Sequence, residues 1–194
     1  TLNKTIETLR AESSRPLFLF SITQNSHYPW VPLPAYVGDW RTLVDAGADA
    51  AASAPVDPDS IKHAERRQNY LHAVTYQLRM LARLIEVQGN DNSLFVLVGD
   101  HQPPVVSRRS DGWETPIHII GRDEALVDSF AQYGFAQGLQ AGSMTTTLHH
   151  EGIYSLLMRA LTERYGVTHA ALPAYLPNGA LPMHQAQATE DLVP

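Results

Sequence analysis

The stretch Leu94-Phe95-Val96-Leu97-Val98-Gly99-Asp100-His101-Gln102-Pro103-Pro104 decides how this chain is read. Five apolar residues in succession match a strand covered on both faces, and a glycine, an acid, an imidazole and two prolines then turn the chain abruptly. In open α/β proteins, ligands bind at such carboxyl ends of strands.

Working outward, a second apolar run, Leu17-Phe18-Leu19-Phe20-Ser21-Ile22-Thr23, ends in Gln24-Asn25-Ser26-His27-Tyr28-Pro29-Trp30. Between the two runs, Asp59 or Ser60 is placed to cap a long helix reaching about Gln88. Its inward stripe is Tyr70, Val74, Leu78, Leu81 and Ile85, and Gly89-Asn90 stops it. Strand, long helix and strand form a βαβ unit, so residues 17–23 and 94–98 are expected to run parallel. That arrangement sets His27 and His101 on one edge of a sheet.

The rest of the chain supplies elements around this unit. Leu2, Ile6 and Leu9 recur at helical spacing before Arg15-Pro16, and Pro116 to Ile120 reads as a third strand. Helices follow from Glu124 to about Tyr133, and from Gly152 to Arg164 with Ile153, Leu156, Leu157, Ala160 and Leu161 inward. From Val31 to Asp59 the prolines and the Ala-rich tract Ala46 to Ala54 mark a surface excursion, a candidate lid, with a short helix near Trp40 to Val44. The expected architecture is α/β, a partial sandwich with a mostly parallel sheet and flanking helices over residues 1–165. Residues 166–194, with four prolines, are expected to form an irregular, partly mobile tail.

Composition narrows the function. At 194 residues, 44% apolar and 18% charged, the chain can build one sizeable core. Fourteen Lys and Arg against twenty Asp and Glu leave a net charge of −6, which excludes the basic footprint of a nucleic-acid binder. No cysteine is present, so disulfide scaffolds, thiolate metal sites and cysteine nucleophiles are excluded together. No apolar run approaches the ~18 residues of a spanning helix. Because the chain opens on Thr1 and not on Met, we expect a longer parent whose anchor or export signal lies upstream.

Asp100 and His101 offer a carboxylate oxygen and an imidazole nitrogen, a donor pair suited to Zn²⁺ or Mn²⁺. A turn-capping aspartate beside a solvated histidine would carry the same sequence. His27, between an apolar run and a stiff Tyr-Pro-Trp segment, is placed to donate a proton or to contact an anionic oxygen. Arg108, Arg109 and Arg122 fall near strand ends, where a guanidinium grips an anionic ester in bidentate fashion, and Arg109 is the one taken as a substrate contact. Trp30 and Trp113 are candidates to line a glycan or headgroup cleft, or simply to cover edges of the core. His149 and His150 open the last helix and are read as solvated or capping residues; His118 is read as a core residue.

The order of these segments carries a resemblance. Pro-Leu-Phe-Leu-Phe-Ser-Ile-Thr, Ser-His-Tyr-Pro-Trp, Tyr70-Leu71-His72-Ala73-Val74-Thr75-Tyr76-Gln77 and Phe-Val-Leu-Val-Gly-Asp-His-Gln-Pro-Pro together resemble the later part of a sulfatase-like domain of the alkaline phosphatase superfamily, over about residues 15–165. The chain is especially similar to membrane-anchored phosphoglycerol and phosphoethanolamine transferases of the lipoteichoic acid synthase type.

The resemblance implies that Asp100 and His101 ligate a divalent metal (Mn, Zn, Ca or Mg) and that His27 lies beside the substrate's phosphate or sulfate. It implies a phosphate or sulfate ester of a glycan or lipid headgroup as substrate, outside the cytoplasm. In that family the nucleophile and an acidic metal ligand precede the region seen here, and Thr1 and Thr5 match no nucleophile motif. Two protein ligands fall short of a catalytic metal site, so this stretch alone is expected to bind metal weakly or not at all and to be inactive. The competing reading is a non-catalytic α/β module that binds an anionic glycan or a partner. A sheet interrupted upstream also exposes an edge through which copies would self-associate.

Overall fold

The computed structural model describes residues 2–45, 57, 60–139, 148–167 and 171–180. The Ala-rich tract and the end of the tail beyond residue 180 lie outside them, as does Asp59. The elements are α1 (Leu2–Glu12), α2 (Thr42–Asp45), α3 (His63–Gln88), β1 (Leu94–Val98), β2 (Ile117–Gly121), α4 (Glu124–Ser129) and α5 (Ile153–Tyr165). Helices flanking a small sheet make a partial α/β fold, as expected. The chain divides into two compact units, residues 1–90 with 97–117, and residues 91–96 with 118–194.

In the first unit α1 docks on α3. Ile6 is buried, and the Arg10 guanidinium donates to the backbone oxygen and the Oε1 of Gln88 at 3.0 and 3.1 Å. Gln88 in turn donates from Nε2 to Asn3 Oδ1 at 3.0 Å, so the buried amide at the end of α3 is satisfied by α1. The long helix starts three residues later than Ser60, whose hydroxyl instead donates to Asp57 O at 2.6 Å. Ala73, Gln77 and Gln88 are its buried positions, and Leu78, expected on the inward stripe, is 53% exposed. The other expected stripe residues, Tyr70, Val74, Leu81 and Ile85, are half-buried, with Trp30 packed against Tyr70 and Tyr36 against Tyr76.

β1 forms where the apolar run predicts it, and β2 matches the third expected strand within one residue. The two pair with each other, and the pairing is antiparallel. Gly99 N donates to Pro116 O at 2.9 Å at one end, and Gly121 abuts Leu94 and Ser93 O at the other. The sheet is thus antiparallel where a mostly parallel one was expected, because β1 has β2 and not residues 17–23 as its neighbour. Residues 17–23 form no strand: none of them takes part in a backbone ladder. β1 is accordingly half-buried along most of its length and not covered on both faces, since it has a partner on one edge.

The second unit holds the larger apolar core. Leu126 of α4, Phe130 just after it, and Leu156 and Ala160 of α5 are buried together, with Leu94, Ile119, Phe135 and Tyr175 packed around them. Residues 171–180 are irregular but not loose. Ser155 Oγ accepts from Leu176 N at 2.9 Å, Arg159 donates to Pro173 O at 2.9 Å, and Tyr175 meets Tyr133 at 4.8 Å.

Asp123 closes this unit. Its carboxylate caps α4 by accepting from Leu126 N at 3.1 Å and also accepts from Tyr165 Oη at 2.6 Å and Arg164 Nε at 2.8 Å. The Tyr165 hydroxyl, then the Arg164 guanidinium, hold the Asp123 pKa down at about 2. Because the folded pKa lies below the unfolded one, the contribution of Asp123 is complete above about pH 4 and is lost as pH falls through 2. Asp123→Asn is therefore expected to lower stability at neutral pH, with the difference from wild type shrinking between about pH 4 and 2. Urea denaturation at a series of pH values measures this, and a difference that stays constant with pH would refute it.

Candidate functional site

β1 delivers Gly99, Asp100 and His101 to a fixed place. Thr115 Oγ1 donates to Gly99 O at 2.8 Å, and a Cβ at Gly99 would stand 3.1 Å from Pro116 Cδ and from Thr115 Cβ. A bare backbone is what allows the strand before β2 to approach this closely. Gln102 Nε2 then donates to Glu114 O, tying the far side of the loop to the same segment. Farther along, Arg108 N donates to Asp111 Oδ2 at 2.8 Å and Asp111 N to Arg108 O at 3.0 Å, which shapes the turn that carries Arg109.

Within that frame Asp100 and His101 face each other. Asp100 Oδ1 accepts from His101 N at 2.9 Å, and its Oδ2 stands 3.5 Å from His101 Nε2. His101 Nδ1 lies 2.8 Å from Gln102 O. A carbonyl oxygen only accepts, so Nδ1 carries the proton, and in the neutral ring Nε2 presents its lone pair toward the carboxylate. Two electron-rich atoms at this separation suit a shared cation. Metal bonds of about 2.1 Å at a tetrahedral angle place ligand atoms about 3.4 Å apart. The side chains are 83% and 60% exposed.

His27 is held by the same device. Its Nδ1 lies 2.7 Å from Tyr28 O, so the proton sits on Nδ1 and Nε2 is the free nitrogen. The turn beneath it is closed by His27 N donating to Gln24 O at 2.9 Å and Trp30 N to His27 O at 3.1 Å. Trp30 anchors that turn. It is 2% exposed, donates from Nε1 to Ser26 O at 2.8 Å, and packs edge-on against Tyr28 and Tyr70 at 5.1 and 5.3 Å. Its φ of 66° is a left-handed conformation that a bulky residue adopts only when packing holds it there.

Trp30 is thus a buried support for the His27 turn, which corrects its reading as a cleft-lining contact. Trp113, by contrast, is 90% exposed. Arg109 is exposed on its short 3₁₀ turn, and no hydrogen bond or ion pair joins its guanidinium to another described residue. His27, Asp100, His101 and Arg109 all belong to the first unit, and the structure pairs Asp100 with His101; no hydrogen bond or ion pair links His27 or Arg109 to that pair. His149 and His150 belong to the second unit, at the start of a 3₁₀ turn before α5. A cavity of ≈ 190 Å³ in that unit is lined by residues including Asp91, Asp123, Leu126 and Tyr165, none of them an expected site residue.

The sulfatase family model matches residues 1–147. The chain belongs to the sulfatase family. No curated protein and no solved structure matches it. Sulfatase-family membership places the chain among sulfate and phosphate ester hydrolases and transferases, whose domains generally use divalent metals. Among the described residues no group of three or more His, Cys, Asp and Glu side chains assembles to hold a metal. No helix of the described residues is long and apolar enough to cross a membrane.

Some supports of the site were not visible in the sequence. Thr115, Gln102 and the carbonyls of Tyr28 and Gln102 act through backbone geometry, and the one sequence signal for them is that Thr115-Pro116 immediately precedes a strand.

Proposed function

We propose that this sulfatase-family chain supplies the Asp-His arm of a divalent-metal centre in an enzyme that cleaves or transfers a phosphate or sulfate ester of a glycan or lipid headgroup. Asp100 and His101 are the two ligands, through Oδ2 and Nε2. His27 meets the ester oxygens or the leaving group through Nε2, and Arg109 balances the anionic charge. When bound, the metal would polarise the ester and stabilise negative charge that develops on it. The observation that carries this reading is the 3.5 Å separation of the two donor atoms, with Nδ1 already engaged by Gln102 O.

The finer assignment is a phosphoglycerol or phosphoethanolamine transferase of the lipoteichoic acid synthase type, working on the periplasmic or extracellular face of a membrane from a parent anchored upstream. Its support is the order of the four segments and the Gly-Asp-His strand end. The 194-residue chain alone is inactive on this reading, because two ligands leave the metal weakly held and no nucleophile is positioned beside them among the described residues. The exposure of Asp100 and His101, at 83 and 60%, also fits a second reading, a module that binds anionic glycans or a partner without turnover.

Titration calorimetry with Mn²⁺ or Zn²⁺ separates the two. Weak binding is expected for the wild-type chain, with at least a tenfold loss on Asp100→Ala or His101→Ala (about 1.4 kcal/mol). Binding indifferent to both substitutions would overturn the metal assignment and leave the module reading.

A further inference from the structure

The segment from Gln102 to Thr115 is a loop closed at its base. Gln102 Nε2 donates to Glu114 O, Thr115 Oγ1 to Gly99 O at 2.8 Å, and Gly99 N to Pro116 O at 2.9 Å. The loop therefore leaves and returns at the end of β1 that carries Asp100 and His101. Within it, Val106 N donates to Pro104 O at 2.8 Å across Val105, whose φ of 58° is a left-handed conformation rare for a β-branched residue. Strain of that kind gathers at ligand clamps and persists where neighbouring bonds hold it.

What the loop presents is a large ring on a held backbone. Trp113 is 90% exposed, yet its N–H donates to Glu114 Oε2 at 3.0 Å. Gly112 before it has a φ of 82°, and a Cβ there would collide with the same Glu114 carboxylate. Both acids of the loop are turned onto its own N–H groups, Asp111 onto Arg108 N and Glu114 onto Trp113 N, while no described residue bonds the Arg109 guanidinium. An open aromatic face and an open guanidinium on one loop suit a ligand that has an apolar face and an anionic group. A pyranose ring with equatorial hydroxyls shows C–H faces, and its phosphate or sulfate ester supplies the anion.

The composition of the loop argues against lipid. No Leu, Ile, Phe or Met occurs between Gln102 and Thr115, so one tryptophan would have to carry the insertion, and Asp111 and Glu114 would face the anionic headgroups. A headgroup ending in an ammonium would meet Arg108 and Arg109. We propose that Trp113 stacks on the sugar ring of an anionic glycan whose ester group is held by Arg109, so that the loop selects a glycan over a lipid headgroup as substrate. This rests on the ester-processing function proposed above for its substrate class, and it is independent of the metal.

Two ligands with the same phosphate, glucose 6-phosphate with a ring and glycerol 1-phosphate without one, test it in the presence of EDTA. The chain has three tryptophans, so the indole N–H signal of Trp113 in a ¹⁵N spectrum is assigned by its loss in Trp113→Ala. That signal is expected to shift with glucose 6-phosphate, which should bind at least about fivefold more tightly than glycerol 1-phosphate. Trp113→Ala should remove the preference, Trp113→Phe should keep most of it, and Arg109→Gln should weaken both ligands by about tenfold. An unmoved indole signal of the buried Trp30 shows that each variant is folded. Equal affinity for the two phosphates, or a preference that survives Trp113→Ala, would refute the stacking role. Refutation would also follow if phosphatidylglycerol vesicles, and not the sugar phosphate, bound the chain through Trp113. Loss of metal binding in calorimetry, with this preference intact, would overturn the metal assignment alone.

Discussion

Trp30→Ala is expected to lower stability by about 3 to 5 kcal/mol, the range for removing a buried aromatic ring. In a chain of this size that corresponds to a fall of roughly 6 to 20 °C in the thermal midpoint. The size follows from what the ring does. It is 2% exposed, its Nε1 satisfies Ser26 O, and its edge contacts with Tyr28 and Tyr70 join the His27 turn to α3. Alanine would leave a cavity and keep the left-handed backbone at φ 66° without the packing that holds it. Trp30→Phe keeps most of the ring and loses the hydrogen bond to Ser26, so its effect should be the smaller of the two. Thermal denaturation, with amide exchange over residues 24–32, checks both. A Trp30→Ala loss under about 1 kcal/mol would mean that the ring is not the anchor described.

What was legible in the sequence divides along a physical line. Elements whose partners lie nearby in the chain were readable. β1 and β2 came within a residue of their bounds, α5 within one residue, and α1 placed Ile6 inward, because apolar period and turn residues are local signals. Asp100 and His101, whose side chains were expected to splay at the strand end, stand with Oδ2 and Nε2 3.5 Å apart.

Features that depend on distant partners were not readable. Pairing direction was misjudged because a long helix between two apolar runs implies a parallel crossover only if both runs join one sheet. Residues 17–23 join none. Of the expected α3 stripe only Leu78 is exposed, and what covers the half-buried Tyr70 is Trp30, forty residues upstream. Trp30 itself shows the same dependence. An aromatic next to a candidate histidine reads equally well as a binding surface or as a brace, and the 2% exposure decides for the brace.

Phe130→Ala and Leu156→Ala should each destabilise the second unit, by about 3 to 5 and 2 to 5 kcal/mol respectively. Both side chains are essentially inaccessible, at 1 and 0% exposure, and they belong to one cluster with Leu126 and Ala160. Phe130 also makes a tilted ring contact with Tyr133 at 6.5 Å and an edge contact with Phe135 at 5.7 Å, so its loss removes ring pairing as well as buried area. Because the two positions share neighbours, the double variant should depart from the sum of the single ones by about 0.5 kcal/mol or more. Trp113→Ala is the informative contrast. It deletes the larger side chain, yet at 90% exposure it should change stability by no more than about 0.5 kcal/mol. Urea denaturation of the four variants tests whether burial, not side-chain size, sets the order. If Trp113→Ala were as damaging as Phe130→Ala, the apolar core would not be where α4 and α5 meet.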